Sequence, residues 1–155
     1  MKEIKLTQGK VAIVDDEDFE ELNKVKWYAY KGGRTFYAVR SPIRGKPVIR
    51  MHRVLLPEAR FVDHIDHDGL NNTRANLRAA TSAQNSANSR KPQKPGHSKF
   101  KGVTKHPHGK WQAQIKADGK YRYLGLFDTE EAAAKAYDDA AHRLFGEFAC
   151  ANDRP

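Results

Sequence analysis

The rhythm of apolar and polar positions changes twice along this 155-residue chain. Over residues 1–60, short β-type runs (Val11 to Val14, Phe36 to Val39, Val48 to Met51) are broken up by the turn formers Gly32-Gly33 and Arg44-Gly45. The acidic block Asp15 to Asp18 predicts the start of a short helix through Phe19, Leu22 and Val25, with its carboxylates at the positive end of the helix dipole. That block reads as a solvated helix start, not as a metal site, and Trp27 reads as core.

From residue 100 the pattern becomes regular. Trp111, Ala113 and Ile115 alternate with Lys110, Gln112, Gln114 and Lys116, which predicts a strand with one buried face. Asp118-Gly119 is a hairpin turn signal leading into a second strand, Tyr121 to Phe127. Asp128 with Glu131 resembles a capping pair. Ala132, Ala133, Ala136, Tyr137, Ala140, Ala141, Leu144 and Phe145 then form one apolar stripe at helical spacing, stopped by Gly146. So much alanine predicts a helix lying close against a sheet. Between the two patterns, Arg90 to Lys99 holds two prolines, a glycine and five basic residues. It reads as a solvated linker. The expected organisation is therefore a first domain over 1–90, a linker over 91–99 and a second domain over 100–155.

Charge sharpens this picture. With 28 Lys and Arg against 19 Asp and Glu, the formal net charge is +9, which suits a polyanionic partner. The charge is also sorted: residues 94–127 carry eight Lys/Arg and one Asp, residues 128–155 three Lys/Arg and seven Asp/Glu. The strands rather than the helix are thus expected to meet the polyanion. A single cysteine, Cys150, excludes a disulfide framework and a cysteine-ligated structural zinc within one chain. No apolar run approaches the ~18–20 residues of a membrane span, and the first residues lack the apolar core of a signal peptide. A soluble, cytoplasmic protein is expected.

The most chemically specific text runs from Val62 to Asn88, a stretch rich in Asp, His and Asn. Phosphodiester hydrolysis needs a base to activate water and a cation to neutralise developing charge. Asp63 and His64 are adjacent, so a strand would point them to opposite faces, and a local turn or bulge is expected to bring both to one site. Thr81 with Gln84 predicts a capped short helix carrying Asn85. Asn85 and Asp63 offer hard oxygen donors better suited to Mg²⁺ than to Zn²⁺. His52 reads either as a contact to the scissile strand or as a structural histidine. Asp66 and His67 read as a solvated turn, and Asn88, one helical turn after Asn85, reads as a helix-end hydrogen-bonding residue or alternatively as an aid to the metal.

The set Asp63-His64, Asn76 twelve residues after the histidine and Asn85 nine further on resembles HNH endonucleases of the phage and intron homing type. The Asn76-Leu77-Arg78 and Gln84-Asn85 elements, Met51-His52-Arg53 and Tyr37 to Arg40 strengthen the resemblance. It implies a ββα-metal fold, with His64 as general base, Asn76 bracing the loop and orienting His64, and Asp63 and Asn85 holding one divalent ion, Mg²⁺ or alternatively Mn²⁺. Residues 100–148 are similar to the plant Apetala-two, or ethylene-response-factor, DNA-binding domain. The matching text is Lys101 to Val103, Gly109 to Ile115, Tyr123 to Phe127, Glu131 to Asp138, Phe145 to Ala149 and Asn152. That resemblance implies a three-stranded sheet lying in the major groove, with Lys101, Thr104, His106, His108, Gln114, Lys116, Tyr121 and Tyr123 facing DNA. Trp111 is expected to face inward.

Together these readings predict an α+β protein: an N-terminal β-rich extension with a ββα-metal module, a linker, then a three-stranded antiparallel sheet packed on one helix. The expected function is metal-dependent, homing-type cleavage of double-stranded DNA by a monomer with no obligate protein partner, in a bacterial or phage-infected cell. Two alternatives are a sequence-specific regulator with an inactive nuclease module, and a general nuclease for defence or repair.

Overall fold

The computed structural model describes residues 1–41, 47–89 and 97–152. The Arg44-Gly45 turn and most of the expected linker lie outside them. Over the described residues the protein is mixed α and β, with small antiparallel sheets and few helices, and it divides into two compact units, Met1–Thr81 and Ser82–Pro155.

The first unit opens with a hairpin of β1 (Lys2–Lys5) and β2 (Val11–Val14). Alternation turns Ile4, Ala12 and Val14 into the core. Helix α1 (Asp16–Asn23) adds Leu22. The helix expected to reach Val25 stops short of it. The Leu22 carbonyl, which a continuing helix would offer to residue 26, accepts the Trp27 indole N–H at 2.8 Å instead. Trp27 is buried as expected.

A three-stranded sheet follows, in the order β3 (Tyr28–Gly32), β4 (Thr35–Arg40) and β5 (Ile49–Arg50), with Tyr30 opposite Tyr37 and Val39 opposite Arg50. The run Val48 to Met51 yields only two strand residues. Met51 instead begins α2 (Met51–Leu55), because Met51 and Leu55, four apart, both reach the core from one helical face. Strands β6 (Phe61–His64) and β7 (Leu77–Ala80) then pair with Asp63 opposite Arg78 and His64 opposite Leu77. Val62 and Leu77 close the same core.

The second unit begins with α3 (Ser82–Ala87) and continues with a sheet of β8 (Val103–Lys105), β9 (Trp111–Ala117) and β10 (Lys120–Phe127), in which β9 is central. The Asp118-Gly119 turn has both residues at positive φ, 52° and 77°, as a tight two-residue hairpin requires. Ala113, Ile115 and Ala117 are buried and Trp111 packs at the margin of the same face. Helix α4 (Glu130–Phe145) lays Ala133, Ala134, Tyr137, Ala140 and Ala141 on that face. Thr129 caps the helix, its hydroxyl accepting from the Ala132 N–H at 3.1 Å, so the cap lies one residue after the expected Asp128. At Gly102, φ is +75° and a Cβ would stand 1.9 Å from the Tyr137 ring; only glycine fits between sheet and helix. Buried Asp138 accepts two hydrogen bonds from Asn152, whose Oδ1 in turn takes the Lys101 N–H, tying the chain end to the start of the sheet.

Candidate functional site

His64 is the last residue of β6, and residues 65–76 form the loop that returns the chain to β7. Such a long connection needs internal fastening, and Asp66 provides it. Its carboxylate accepts from Asn71 Nδ2 at 2.7 Å, Asn76 Nδ2 at 2.9 Å and the Asp68 N–H at 2.8 Å. Its own N–H donates to Asn76 Oδ1 at 3.0 Å, so Asp66 and Asn76 grip each other at two points. Asn76 Nδ2 also reaches the Asn71 carbonyl at 2.8 Å, and the Asn76 carbonyl accepts the Ile65 N–H beside His64 at 3.0 Å. Burial raises the pKa of Asp66, but the hydrogen bonds from Asn71, Asp68 and Asn76 outweigh it and hold the carboxyl below its ordinary range. The expected solvated turn is thus a hydrogen-bonded hub, and His67 next to it adopts φ +68°.

The loop is also fixed from outside. The Leu70 carbonyl and the Asn72 N–H bond to the two sides of Ile13 on β2, at 2.9 and 2.8 Å. Arg74 makes a two-point contact with Asp18 at 2.6 and 2.8 Å, and its N–H reaches the Asp15 carboxylate at 2.7 Å. The acidic block therefore holds the loop through Asp15 and Asp18; Asp15 makes no side-chain cap to α1. On the other side Gly69 donates to Thr35 Oγ1 at 3.0 Å and lies so close to β4 that a Cβ would stand 2.5 Å from the Phe36 carbonyl.

His64 itself packs into a three-ring cluster. Its ring centre lies 5.0 Å from that of His52 and 5.9 Å from that of Tyr37, and His52 and Tyr37 are 5.7 Å apart, all three edge to face. His64 is 7% and His52 6% exposed. Burial lowers the pKa of His64; the neighbouring Asn72 side chain and the carboxylates of Asp66, Asp63 and Asp68 pull the other way without overcoming it. Burial, reinforced by repulsion from His64, Arg50 and Arg53, takes His52 down to about 3. Both shifts favour the neutral imidazole. Tyr37 had been visible only within the Tyr37 to Arg40 text, with no role attached; a tyrosine in a strand gives no local sign of which distant rings it will meet.

Asp63 and His64 sit within a regular ladder, with no bulge between them. Asp63 is 4% exposed, and its Oδ2 pairs with Arg78 Nε at 2.9 Å and Nη2 at 2.8 Å from the facing position of β7. Arg78 had been visible only as part of the Asn76-Leu77-Arg78 text. Asn85 lies on α3, in the second unit. Asn88 follows that helix and is buried, with its N–H on the Gln84 carbonyl at 3.0 Å. Among the described residues no three His, Cys, Asp or Glu side chains converge on a metal position. The carboxylate and carboxamide expected as ligands are a different, sparser set. Asp63 and Asn85, which lie in different units, each offer a hard oxygen donor of the kind a divalent ion takes.

In the second unit, the face of the sheet opposite α4 carries Thr104, Gln114, Lys116, Tyr121 and Tyr123, with Tyr121 opposite Lys116 and Tyr123 opposite Gln114. Tyr121 and Tyr123 are 69% and 63% exposed, so two large aromatic rings stand outside any core. Gln112 shares this face, opposite Thr104, its Nε2 donating to the side-chain Oε1 of Gln114 at 3.5 Å; alternation alone would have included it. His106 and His108 stand in the β8–β9 turn with rings 5.1 Å apart. Lys101 behaves differently: its ammonium donates to the Ala87 and Ser89 carbonyls at 2.6 and 2.7 Å, closing the end of α3.

Comparison with known proteins places both parts. Residues 49–87 match the HNH endonuclease family and residues 98–147 the AP2 domain; the first match crosses the division between the two compact units. The chain is 53% identical over 62 residues to an APETALA2-like protein of rice (Oryza sativa subsp. indica), covering 39% of this chain and 14% of the rice protein. It is 52% identical over 60 residues to an AP2-like ethylene-responsive transcription factor of Arabidopsis thaliana, over 37% of this chain and 11% of that protein. An uncharacterized HNH endonuclease of Acanthamoeba polyphaga mimivirus is 37% identical over 153 residues, covering 94% of this chain and 76% of the viral protein. With that extent of likeness, the chain belongs to the HNH endonuclease family and carries an AP2 domain in its second unit.

Proposed function

We propose that this protein is a metal-dependent, homing-type endonuclease that hydrolyses double-stranded DNA near a site chosen by its AP2 domain. The observation that carries the reading is a buried histidine, His64, at the end of a strand whose following loop is locked by the Asp66–Asn76 pair; its burial favours the neutral imidazole. A neutral imidazole has a ring nitrogen ready to take a proton from water. Asn76 keeps the backbone beyond His64 in place through the Ile65 and Asp66 N–H groups. Asp63 and Asn85 are the residues that would hold one divalent ion, Mg²⁺ or Mn²⁺. Such an ion supplies charge neutralisation at the scissile phosphate and the leaving oxygen. Arg78 pairs with Asp63 from the facing strand and fixes where its carboxylate lies.

Thr104, Gln114, Lys116, Tyr121 and Tyr123, with His106 and His108 at the turn, form the reading face, Lys116 meeting a phosphate and Gln114 a base edge. Lys101 borders this face through its backbone, its ammonium being engaged with α3. The nuclease part is taken as residues 1–90 and the reader as 100–155, joined by 91–99, in a protein that acts as a monomer in the cytoplasm of a bacterial or infected cell.

Incubation with supercoiled plasmid tests this directly. Cleavage that needs Mg²⁺ and stops in EDTA is expected, and His64→Ala should lose roughly 10²–10⁴-fold in rate, the usual contribution of a positioned base. Intact plasmid at every Mg²⁺ concentration would refute the nuclease and favour a DNA-binding regulator.

A further inference from the structure

We propose that Arg50 is a phosphate-binding residue of the nuclease site, gripping the DNA backbone beside His64; the proposal rests on the nuclease reading above. Arg50 ends β5 and precedes α2, opposite Val39 in the ladder. Its guanidinium lies over the Tyr37 ring, 5.5 Å from the centre. The same ring is 5.9 Å from His64 and 5.7 Å from His52. One aromatic side chain therefore serves both as a platform for an exposed cation and as a member of the ring cluster around the candidate base.

The other arginines of this unit give the comparison that matters. Arg78 is paired with Asp63, Arg74 with Asp18 and Glu17, and Arg53 donates to the Ala59 and Arg60 carbonyls. Arg40 lies over the Trp27 ring, next to the core. Arg60 is likewise exposed and lies over a ring, Phe61 at 5.8 Å; Arg50 differs in that its ring is the one beside His64. Arg50 is exposed, and among the described residues no carboxylate forms an ion pair with it. Its charge is felt at His52. A guanidinium has a planar fork that matches two phosphate oxygens, and the cation–π contact holds the fork in one place before any ligand arrives. Among the described residues no carboxylate competes with a phosphodiester for that fork.

The test uses the full chain and a DNA duplex. In EDTA, affinity is measured against salt for wild type, Arg50→Ala, Arg50→Lys and, as a control for net charge, Lys135→Ala. Losing one phosphate contact lowers the slope of log affinity against log salt by about 0.9, expected for Arg50→Ala and for neither Arg50→Lys nor Lys135→Ala. In Mg²⁺, Arg50→Ala should lose about 10- to 100-fold in kcat/KM, the range of a charge-assisted hydrogen bond. Arg50→Lys should recover part of that loss. An unchanged slope for Arg50→Ala overturns the proposal. So does a changed slope with undiminished kcat/KM, which would put Arg50 on DNA away from the bond that is cut. Wild-type protein that binds DNA and never cuts it refutes the nuclease reading, and the slopes in EDTA still decide whether Arg50 meets a phosphate.

Discussion

Replacing Arg78 by methionine isolates the ion pair under the candidate metal ligand. The two charges meet at 2.8 Å, with the Asp63 side chain 5% and the Arg78 side chain 12% exposed. At an effective dielectric of 20 their attraction is about 6 kcal/mol, and removing one partner of a buried pair costs ~3–5 kcal/mol once the site relaxes and admits water. Methionine keeps much of the apolar stem in place, which points to the lower figure. For a unit of this size each kcal/mol moves the thermal midpoint by ~4–8 °C, so a fall of roughly 12–24 °C is expected by circular dichroism. Asp63→Leu with Arg78→Met removes both charges and should restore most of that loss, since a buried pair and an apolar pair of similar volume are close in stability. Mg²⁺ binding only the folded state should raise the midpoint of Arg78→Met and leave that of the double variant alone. A single variant melting within about 2 °C of wild type would refute the buried pair. Equal Mg²⁺ shifts with and without Asp63 would refute its role as a ligand.

Two further outcomes follow from named contacts. The folded-state pKa of His52, about 3, lies below the ordinary 6.5, so the unfolded chain takes up its proton first as pH falls. Stability from neutral His52 is then intact above pH 6.5, is down by about 2 kcal/mol at pH 5 and goes on falling towards pH 3; His52→Gln should flatten that slope in chemical denaturation, and an unchanged slope counts against the burial. Gly102→Ala adds a Cβ 1.9 Å from the Tyr137 ring at φ +75°, so overpacking of ~1–3 kcal/mol and left-handed strain of roughly 1–2 kcal/mol should lower the melting of the second unit well below wild type; an unaltered melting curve would mean that sheet and helix are not in contact there.

What the chain declares by itself is whatever repeats at short range. Alternation over Lys110 to Lys116 and the alanine stripe from Ala132 to Phe145 announce β9 and α4, since a strand or helix buries a face at its own period. Asp118-Gly119 announces its turn because few residue pairs tolerate positive φ at both positions. The text Asp63-His64, Asn76, Asn85 announces a nuclease family by the order of its residue types. Local choices between near-equivalent residues were less legible: Thr129 caps α4 where Asp128 was expected, and Met51 leaves the strand for α2 because the core lies on its helical side.

Only the folded chain decides which side chains meet across long separations. Arg74 reaches Asp18 over 56 residues and Gly69 reaches Thr35 over 34, and neither contact leaves a periodic trace. The ring cluster of Tyr37, His52 and His64 draws on a strand, a helix and a second strand, and its burial lowers both histidine pKa values. Asp66 reads as one more solvated carboxylate until the loop closes and sets three donors around it. Arg78 reads as one more positive charge until β7 pairs with β6 and places it opposite Asp63. Periodicity says which face of an element is buried; what that face is buried against, and hence which charges are matched and which are left for a ligand, is set by how the elements pack.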